Sequence, residues 1–272
     1  MKQVRPKKNL GQHFLTDLHV AKRIADTVDA CPDIPVLEIG PGMGVLTQYL
    51  LPKPREVKVV EIDRESVAYL HEHFSKGQDN GTDPQSSLPT PQEDWIISAD
   101  FLRMDLTEVF AGRTFVLTGN YPYDISSQIF FKMLDNKDLI PCCTGMIQRE
   151  VALRIAAEPG NKQYGILSVL IQAWYDTEYL FTVDETVFNP PPKVKSAVIR
   201  MTRNSRTDLG CDWELFRRVV KTVFNQRRKM LRVSLKQLIP DFKSDDEFFT
   251  KRPEQLSHEE FVMLTNRVSA LL

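Results

Sequence analysis

The sequence predicts an α/β protein with a mostly parallel sheet, followed by a smaller helical region. Short apolar strand patterns alternate with amphipathic helix patterns over the first half of the chain, which is typical of parallel sheets covered by helices on both faces. After residue 211 the strand pattern stops, and amphipathic helical runs take over. The length of 272 residues corresponds to somewhat under two domains of about 150 residues. We therefore predict domains at 1–207, with a basic arm at 1–16, and at 208–272, with the boundary inside 204–211.

The spacing of apolar residues assigns the elements in order. The predicted strands are short runs rich in Val, Ile and Leu, at 36–39, 57–62, 95–98, 114–118 and 144–148. The predicted helices carry an apolar stripe, at 17–28, 45–51, 64–74 and 125–134. Asp17 is a candidate N-cap of the first helix, and Pro52 ends the second. Residues 75–94 interrupt the alternation with Gly, Pro, Ser, Asn and Asp, and predict an extended surface loop.

The composition excludes several classes of protein. Hydrophobic residues make up 42% of the chain and charged residues 26%, so disulfide scaffolds, collagen-like repeats and wholesale disorder are excluded. The four cysteines form no C-x-x-C pair, which predicts free thiols and no metal site. The basic N-terminus lacks the apolar stretch of a signal peptide, and no apolar run reaches the roughly 18 residues needed to cross a membrane. We expect a soluble cytoplasmic protein with no obligate protein partner.

A glycine-rich turn after the first strand indicates a nucleotide site. Gly40 and Gly42 in this turn allow a ligand to approach the backbone at the end of a parallel strand. Glu61 ends the next strand, where a carboxylate accepts hydrogen bonds from ribose hydroxyls. The turn alone fits NAD or S-adenosylmethionine, but Val45 stands where dinucleotide folds carry a third glycine. Asp100 follows the next strand, where it is either an acceptor for an adenine amino group or a plain turn cap. Gly40, Glu61 and Asp100 together favour the adenosyl ligand.

The segment after the fourth strand carries candidate catalytic groups. Asn120, Tyr121, Pro122 and Tyr123 lie where ligands meet open α/β sheets. The amino nitrogen of adenine is a poor nucleophile because its lone pair is delocalised into the ring. The Asn120 side-chain oxygen and the Pro122 carbonyl can accept its two N–H bonds, while Tyr123 stacks on the unpaired base. Positioning then supplies most of the rate without a metal; a plain strand-closing turn is the alternative.

Six ordered segments make the chain resemble the small-subunit ribosomal RNA adenine N6,N6-dimethyltransferase family over essentially its full length. The matching segments are 9–15, 38–42, 61–63, 120–126, 188–194 and 224–229. The resemblance implies a Rossmann-like methyltransferase sheet with S-adenosylmethionine as cofactor. It also implies that methyl groups go to the N6 atoms of two adjacent adenines near the 3′ end of 16S rRNA, within the assembling 30S particle, during ribosome biogenesis.

Carried over position by position, the resemblance assigns cofactor contacts and catalytic groups. The implied cofactor-binding residues are His13, Leu15, Gly40, Gly42, Glu61, Asp100 and Asn120. The implied catalytic residues are Asn120, Pro122, Tyr123 and Phe188. Two positions depart from the family, since His13 stands where many members carry Asn, and Tyr121 replaces the usual Leu at a core-facing position. Phe188 precedes three prolines that fix its direction, and either closes the other side of the target base or packs in the core.

Basic side chains are concentrated in the second half of a chain whose formal charge is only −1. Residues 193–236 contain 13 basic and three acidic side chains, a net charge of +10. A helical projection from residue 216 onward puts apolar and basic side chains on different faces, as expected of a surface that docks on an RNA backbone. The candidate RNA-binding residues are Lys193, Arg218, Lys221, Arg227, Arg228, Lys229 and Arg232. A solvated charged helix is the alternative.

Three competing functions stay open at this point. A large-subunit rRNA adenine methyltransferase of the macrolide-resistance kind shares the glycine turn and the tetrapeptide, but 188–194 and 225–229 favour the small-subunit type. A non-catalytic assembly factor that binds immature subunits would use the same basic segment, and this role can coexist with catalysis. An NAD-dependent dehydrogenase is the third, and is distinguished by which cofactor binds.

Overall fold

The computed structural model describes Lys7, residues 13–74 and residues 94–272. The predicted basic arm, apart from Lys7 and residues 13–16, lies outside these described residues. The predicted loop at 75–94 also lies outside them, except for Asp94.

Nine strands occur in the described part of the chain. They are β1 (Phe14–Leu15), β2 (Val36–Ile39), β3 (Val57–Glu61), β4 (Ile96–Ser98), β5 (Val116–Gly119), β6 (Cys142–Gln148), β7 (Tyr175–Val183), β8 (Phe188–Asn189) and β9 (Ser196–Arg203). Seven of them form one sheet in the order β4-β3-β2-β5-β6-β9-β7. The first five in this order run parallel, and β9 is antiparallel to β6. The predicted mostly parallel sheet is confirmed, with each predicted strand within two residues of its observed bounds.

The helices are those that the apolar stripes predict, together with several that they missed. They are α1 (Leu18–Asp26), α2 (Thr47–Leu50), α3 (Arg64–Phe74), α4 (Leu106–Val109), α5 (Ser126–Asp135), α6 (Arg149–Ile155), α7 (Ile166–Gln172), α8 (Trp213–Asn225), α9 (Leu231–Ser234) and α10 (His258–Ser269). Asp17 caps α1 as predicted, because its carboxylate accepts the Val20 N–H at 3.0 Å. The second helix is shorter than predicted, because the glycine turn continues to Leu46 before α2 begins.

The chain divides into two compact units. The first comprises residues 1–152 and 178–203, which include the strands from β2 to β5. Its strands are nearly continuous apolar runs, as expected of parallel strands buried on both faces, and β2 and β5 are buried along their whole length. A small antiparallel pair joins β1 to β8, with Leu15 opposite Phe188.

The second unit comprises residues 153–177 and 204–272. In it α8 packs on α7 and α10, and the α8 residues Phe216, Val219, Val220 and Val223 are fully buried. The sequence prediction placed 153–177 in the first domain, whereas the structure packs α7 against α8 because its apolar face is buried there. Among the described residues, no helix is both long enough and apolar enough to cross a membrane.

Candidate active site

The carboxyl ends of β2, β3, β4 and β5 meet at one edge of the sheet and border a cavity of about 260 Å³. Ligands bind in open parallel sheets at this edge. The predicted site residues that line the cavity are His13, Leu15, Gly40, Gly42, Glu61, Asp100, Asn120, Pro122 and Tyr123. The structure therefore brings together nine side chains or backbone segments that are spread over 111 positions of the chain.

The turn after β2 depends on glycine for its conformation and for its packing. Gly40, Gly42 and Gly44 have φ values of 65°, 56° and 77°, a region that side chains other than glycine rarely adopt. A Cβ on Gly42 would lie 3.0 Å from the Phe14 ring, and one on Gly44 would lie 2.5 Å from the Phe74 ring. The turn therefore places its bare backbone against the cavity and against α3 at the same time.

Glu61 is a buried acceptor at the end of β3, with 4% of its surface exposed. Its Oε2 accepts the Gly42 N–H at 3.1 Å, and its Oε1 accepts the Asp63 N–H at 2.9 Å. Burial raises the pKa of Glu61, while these backbone hydrogen bonds oppose that rise. Each carboxylate oxygen can accept a second hydrogen bond. Glu61 is therefore oriented by the backbone and keeps acceptor capacity on both carboxylate oxygens.

Asp63 donates its backbone N–H to Glu61, and its own carboxylate accepts a hydrogen bond from Lys7. The Lys7 Nζ donates to Asp63 Oδ1 at 2.6 Å and lies 3.3 Å from Glu65 Oε1. Burial alone would raise the pKa of Asp63, but the hydrogen bonds from Lys7 and from the Glu65 N–H bring it below its ordinary value. One residue of the basic arm is thus anchored beside the buried Glu61 carboxyl group.

Glu38 is a second carboxyl group on the cavity wall, and only 1% of its surface is exposed. The Thr47 hydroxyl donates to its Oε2 at 2.6 Å. Burial raises the pKa of Glu38 to about 8, against which the Thr47 hydrogen bond acts only in part. At neutral pH this group is mostly protonated and uncharged.

Asn120 follows β5 and is held by backbone contacts on both sides. It bridges to Met146 of β6, and its Nδ2 donates to the His13 carbonyl at 3.2 Å. This orientation leaves the side-chain oxygen as the acceptor of the amide group. The Pro122 carbonyl accepts the Ile125 N–H at 3.3 Å and retains a second lone pair. The two acceptors that the sequence predicts for an amino group therefore both border the cavity.

Tyr123 presents an aromatic face that is fixed at both ends. Its hydroxyl hydrogen-bonds with the Ser196 hydroxyl, and its ring stacks with the His13 ring at 5.6 Å between centroids and 27° between planes. The His13 Nδ1 lies 2.8 Å from the Pro190 carbonyl, which can only accept, so Nδ1 carries the proton in this contact. His13 therefore contributes both its side chain and its backbone carbonyl to the site.

Tyr121, the departure from the family tetrapeptide, is 1% exposed and faces the core as predicted. Its hydroxyl donates to the Thr144 carbonyl at 2.8 Å, and its N–H donates to the Met146 carbonyl at 3.0 Å. A Cβ on Gly145 would lie 2.8 Å from the Tyr121 ring and 2.4 Å from the Gly119 carbonyl oxygen. The phenol thus ties the segment after β5 to β6 across a glycine that leaves room for the ring.

The structure bears on two of the alternatives that the sequence left open, at Asp100 and at Phe188. The Asp100 carboxylate accepts the Leu102 N–H at 3.0 Å and so caps a short turn, yet it also lines the cavity. Phe188 is 4% exposed, belongs to the apolar core beside Leu15, and does not line the cavity. The structure therefore places Phe188 in the apolar core, opposite Leu15 in the β1–β8 pair, and not in the wall of the cavity.

Sequence reasoning missed three residues at this edge. Glu38 was read as part of the strand, although a carboxyl group inside an apolar run is itself a signal. Ile62 lines the cavity next to Glu61, and 53% of its surface is exposed. The available sequence signal was an apolar residue directly after a carboxylate that ends a strand. Lys7 contacts Asp63 over 56 positions of sequence, and no local pattern could have shown that pairing.

The candidate RNA-binding residues divide by exposure. The exposed residues of this set in the second unit are Arg218, Lys221, Arg228, Lys229 and Arg232, and Lys193 in the first unit is also exposed. Arg227 instead donates to the Asn161 carbonyl at 3.2 Å and is half-buried. The projected continuous helix is also wrong after residue 225, because a turn separates α8 from α9.

The edge of the sheet has the groups that an S-adenosylmethionine-dependent methyltransferase of amino groups requires: a glycine turn, a buried ribose acceptor, and amide and carbonyl acceptors beyond them. Comparison with known proteins agrees. A family model described as ribosomal RNA adenine dimethylase matches residues 3–257. The chain belongs to this family.

Curated relatives match the chain along almost its whole length. It is 65% identical over 271 residues to the ribosomal RNA small subunit methyltransferase A of Phocaeicola vulgatus, covering 99% of this chain and 91% of the relative. It is 66% identical over 274 residues to the protein of the same name from Bacteroides thetaiotaomicron, covering 100% of this chain and 97% of the relative.

Solved structures show the same fold. A dimethyladenosine transferase from Plasmodium falciparum superposes with a TM-score of 0.73 at 21% identity, covering 94% of this chain and 98% of that one. The 23S rRNA methyltransferase ErmE superposes with a TM-score of 0.67 at 27% identity, covering 94% and 99%. The fold is therefore the Rossmann-like methyltransferase fold, and the enzyme is an S-adenosylmethionine-dependent rRNA adenine dimethyltransferase.

The residues present fit this cofactor. The buried Glu61 carboxylate keeps acceptor capacity on both oxygens, and the backbone of the glycine turn is exposed to the same cavity. The exposed side chain of Ile62 supplies an apolar surface next to them. An acceptor for ribose, an apolar surface for a purine and a bare backbone for the remaining chain are what an adenosyl ligand needs.

Proposed function

We propose that the enzyme methylates the N6 atoms of two adjacent adenines near the 3′ end of small-subunit (16S) rRNA, within the assembling small subunit. The observation that carries this proposal is the 65–66% identity, over essentially the whole chain, to relatives named ribosomal RNA small subunit methyltransferase A. The matched regions cover 99–100% of this chain, so they include the basic segment, the segment around Phe188 and the residues of the cavity. The proposal concerns the substrate, since the chemistry follows from the family.

Within the cavity, Glu61 would hold the ribose hydroxyls and Ile62 would cover one face of the adenine of the cofactor. Asp100 would accept from the amino group of that adenine, with its second oxygen already 3.4 Å from Arg103. Gly40 and Gly42 would admit the rest of the cofactor against the backbone. When bound, S-adenosylmethionine supplies a methyl group on a sulfonium centre, which leaves as a neutral thioether.

The target adenine would be held by the segment after β5. The Asn120 side-chain oxygen and the Pro122 carbonyl would accept the two N–H bonds of its amino group, which favours a pyramidal nitrogen with a directed lone pair. The Tyr123 ring would stack on the base, and its two fixed ends keep the ring from rotating away. Positioning of the nucleophile accounts for most of the rate in such a site.

The second unit would supply the RNA-backbone contacts. Its exposed basic side chains, Arg218, Lys221, Arg228, Lys229 and Arg232, are backed by the buried apolar face of α8 and by Leu231. A basic surface on a rigid apolar support binds phosphates without reading sequence. We therefore keep these five residues and Lys193 as the proposed RNA contacts, and leave Arg227 out because it is bonded to Asn161.

A large-subunit substrate is the competing proposal, and the likeness to ErmE is the observation that favours it. Its identity of 27% is far below that of the small-subunit relatives. Mapping of dimethyladenosine in RNA from cells that lack the protein separates the two. We expect the modification to disappear from two adjacent adenines of small-subunit RNA and to persist in large-subunit RNA. Loss from large-subunit RNA alone would overturn the proposal.

A further inference from the structure

A loop of the second unit presents a basic side chain that lies outside the basic segment 193–236. Residues 158–165 lead into α7, and residues 158–162 of this loop are all exposed. The Lys162 ammonium group forms neither an ion pair nor a hydrogen bond with any residue that the structure describes. Glu158, the acidic side chain of the same loop, also pairs with no basic group of the described chain. The charge of Lys162 is therefore available to a ligand.

Hydrogen bonds and ring packing hold this loop on both sides of its exposed stretch. The Gly160 N–H donates to the Glu254 carbonyl at 2.7 Å, in a turn where Gly160 has a φ of 85°. The buried Tyr164 hydroxyl donates to the Leu256 carbonyl at 3.1 Å, and its ring packs edge-on against Phe224 with 6.1 Å between centroids. The residues between these two anchors are therefore held in place, and little conformational entropy is lost when they bind a ligand.

The middle of the loop is bonded to the turn that follows α8. The Arg227 Nη2 donates to the Asn161 carbonyl at 3.2 Å, and the same carbonyl accepts the Tyr164 N–H at 3.1 Å. The Arg227 guanidinium forms no ion pair within the described part of the chain, so a carboxylate does not neutralise its charge there. Because Lys162 follows Asn161 and Arg228 follows Arg227, this contact brings the loop against the exposed basic turn.

We propose that the loop at 158–165 is part of the RNA-docking surface and that Lys162 contacts an RNA phosphate there. Arg227 is the positioning residue that holds this loop beside Arg228 and Lys229. The inference rests on the proposed binding of small-subunit RNA by the second unit. Basic side chains that lie close together without acidic partners repel one another, and a polyanion relieves that repulsion. The RNA backbone is therefore the ligand whose charge complements this surface.

The first test is lysine labelling of the purified full-length enzyme, with and without saturating purified small-subunit rRNA. Amines are acetylated briefly with an N-hydroxysuccinimide ester, and the modified lysines are mapped by mass spectrometry. We expect RNA to slow the acetylation of Lys162 and Lys229 severalfold and to leave that of Lys22, which is exposed on α1, unchanged. Protection of Lys229 without Lys162 would overturn this inference and leave the proposed docking by the second unit intact. Protection of neither lysine would overturn both.

The second test is the salt dependence of binding to the same RNA. Lys162→Gln should weaken binding and lower the slope of log Kd against log salt concentration by about 1, because one phosphate contact is lost. Lys162→Arg keeps the charge on the loop and should keep the parental slope. Lys22→Gln removes the same charge from α1 and should also keep it. A parental slope in Lys162→Gln would contradict the assigned contact.

A double-mutant cycle tests the positioning role of Arg227. Arg227→Met keeps a long side chain but removes the donor to the Asn161 carbonyl. If this hydrogen bond holds the loop in place, Lys162→Gln should weaken RNA binding less in Arg227→Met than in the parent, since the two residues act together. Equal losses of affinity in both backgrounds would show that Arg227 does not position the loop. The labelling experiment uses the parent protein alone, so its result does not depend on whether a variant folds.

Discussion

At the scale of single residues, two buried carboxyl groups one strand apart are held by different hydrogen-bond donors. Glu61 receives two backbone N–H bonds, whereas Glu38 receives one hydroxyl and is almost completely buried. Burial raises the pKa of both groups, to about 8 for Glu38, and the backbone hydrogen bonds to Glu61 oppose that rise. Local hydrogen bonding therefore distinguishes two side chains of the same type.

The raised pKa of Glu38 predicts a pH dependence of stability. Between its ordinary value of 4.5 and the folded value of about 8, the folded state holds a proton that the unfolded state has released. The free energy of unfolding should therefore contain a Glu38 contribution that is complete below pH 4.5 and is lost as pH rises toward 8. Glu38→Gln, which stays neutral, should show a flatter decline in urea titrations from pH 5 to 8. Equal slopes for variant and parent would contradict this charge assignment.

Removal of the Tyr121 hydroxyl is expected to change kcat and KM to different extents. Tyr121→Phe keeps the buried ring but removes the 2.8 Å bond to the Thr144 carbonyl, a loss of about 1 kcal/mol in unfolding free energy. Because that bond fixes the segment holding Asn120 and Pro122, we expect kcat to fall severalfold with the KM for S-adenosylmethionine nearly unchanged. Tyr179→Phe, which removes a surface hydroxyl bonded to Thr182, is the control. A parental kcat in Tyr121→Phe would show that the hydroxyl only stabilises the fold.

At the scale of elements, the glycine turn couples the cavity to α3. Gly44→Ala and Gly112→Ala impose the same backbone strain, since their φ values are 77° and 78°. Only the Cβ on Gly44 would meet a neighbour, the Phe74 ring at 2.5 Å, whereas that on Gly112 meets nothing within 4 Å. Gly44→Ala should therefore cost about 1–3 kcal/mol more in unfolding free energy than Gly112→Ala. Equal losses of unfolding free energy for the two variants in denaturant titrations would show that α3 moves to accommodate the new side chain.

The exposed basic residues after α8 predict the salt dependence of RNA binding. Arg228→Glu should weaken binding to small-subunit RNA and reduce the slope of log Kd against log salt concentration by about 1–2, because fewer counterions are released. Lys22→Glu, on the exposed face of α1, changes the net charge equally and is the control. An unchanged slope for Arg228→Glu would remove it from the docking surface.

The strands from β2 to β6 were predictable from the sequence, because parallel strands that are buried on both faces consist almost entirely of apolar residues. The two-residue strands β1 and β8 were not predictable, because they exist only through pairing between residues 173 and 175 positions apart in the chain. The end of α8 at Asn225 was missed because the basic run beyond it has no helix-breaking residue. Among site residues, the motifs predicted Gly40, Glu61 and Asn120, which the structure brings to the same cavity, while the only sequence signal for the buried Glu38 was a carboxyl group inside an apolar run.

At the scale of the whole molecule, a formal charge of −1 conceals a local +10. The acidic residues that balance it include Asp246, which pairs with Arg267 at 2.7 Å, and Glu260, which caps α10 and pairs with Lys251. These acids neutralise side chains near themselves and leave Arg228, Lys229 and Arg232 exposed. The charge is arranged so that one part of a neutral protein can bind a polyanion.

A role in assembly without catalysis would use the same basic residues, so binding alone cannot distinguish it from methyl transfer. Asn120→Ala separates the two, since it removes an acceptor in the cavity and changes no exposed charge. We expect this variant to bind small-subunit particles like the parent.

The most direct measurement is transfer of labelled methyl from S-adenosylmethionine to purified small-subunit particles that lack the modification, followed by mapping of the label. The parent should place dimethyladenosine at two adjacent adenines near the RNA 3′ end, and Asn120→Ala should lose about 10²-fold or more of the rate. Asn136→Ala, which removes an amide at the end of α5 outside the cavity, should keep the parental rate. Label on other RNA positions, or undiminished turnover by Asn120→Ala, would contradict the central claim.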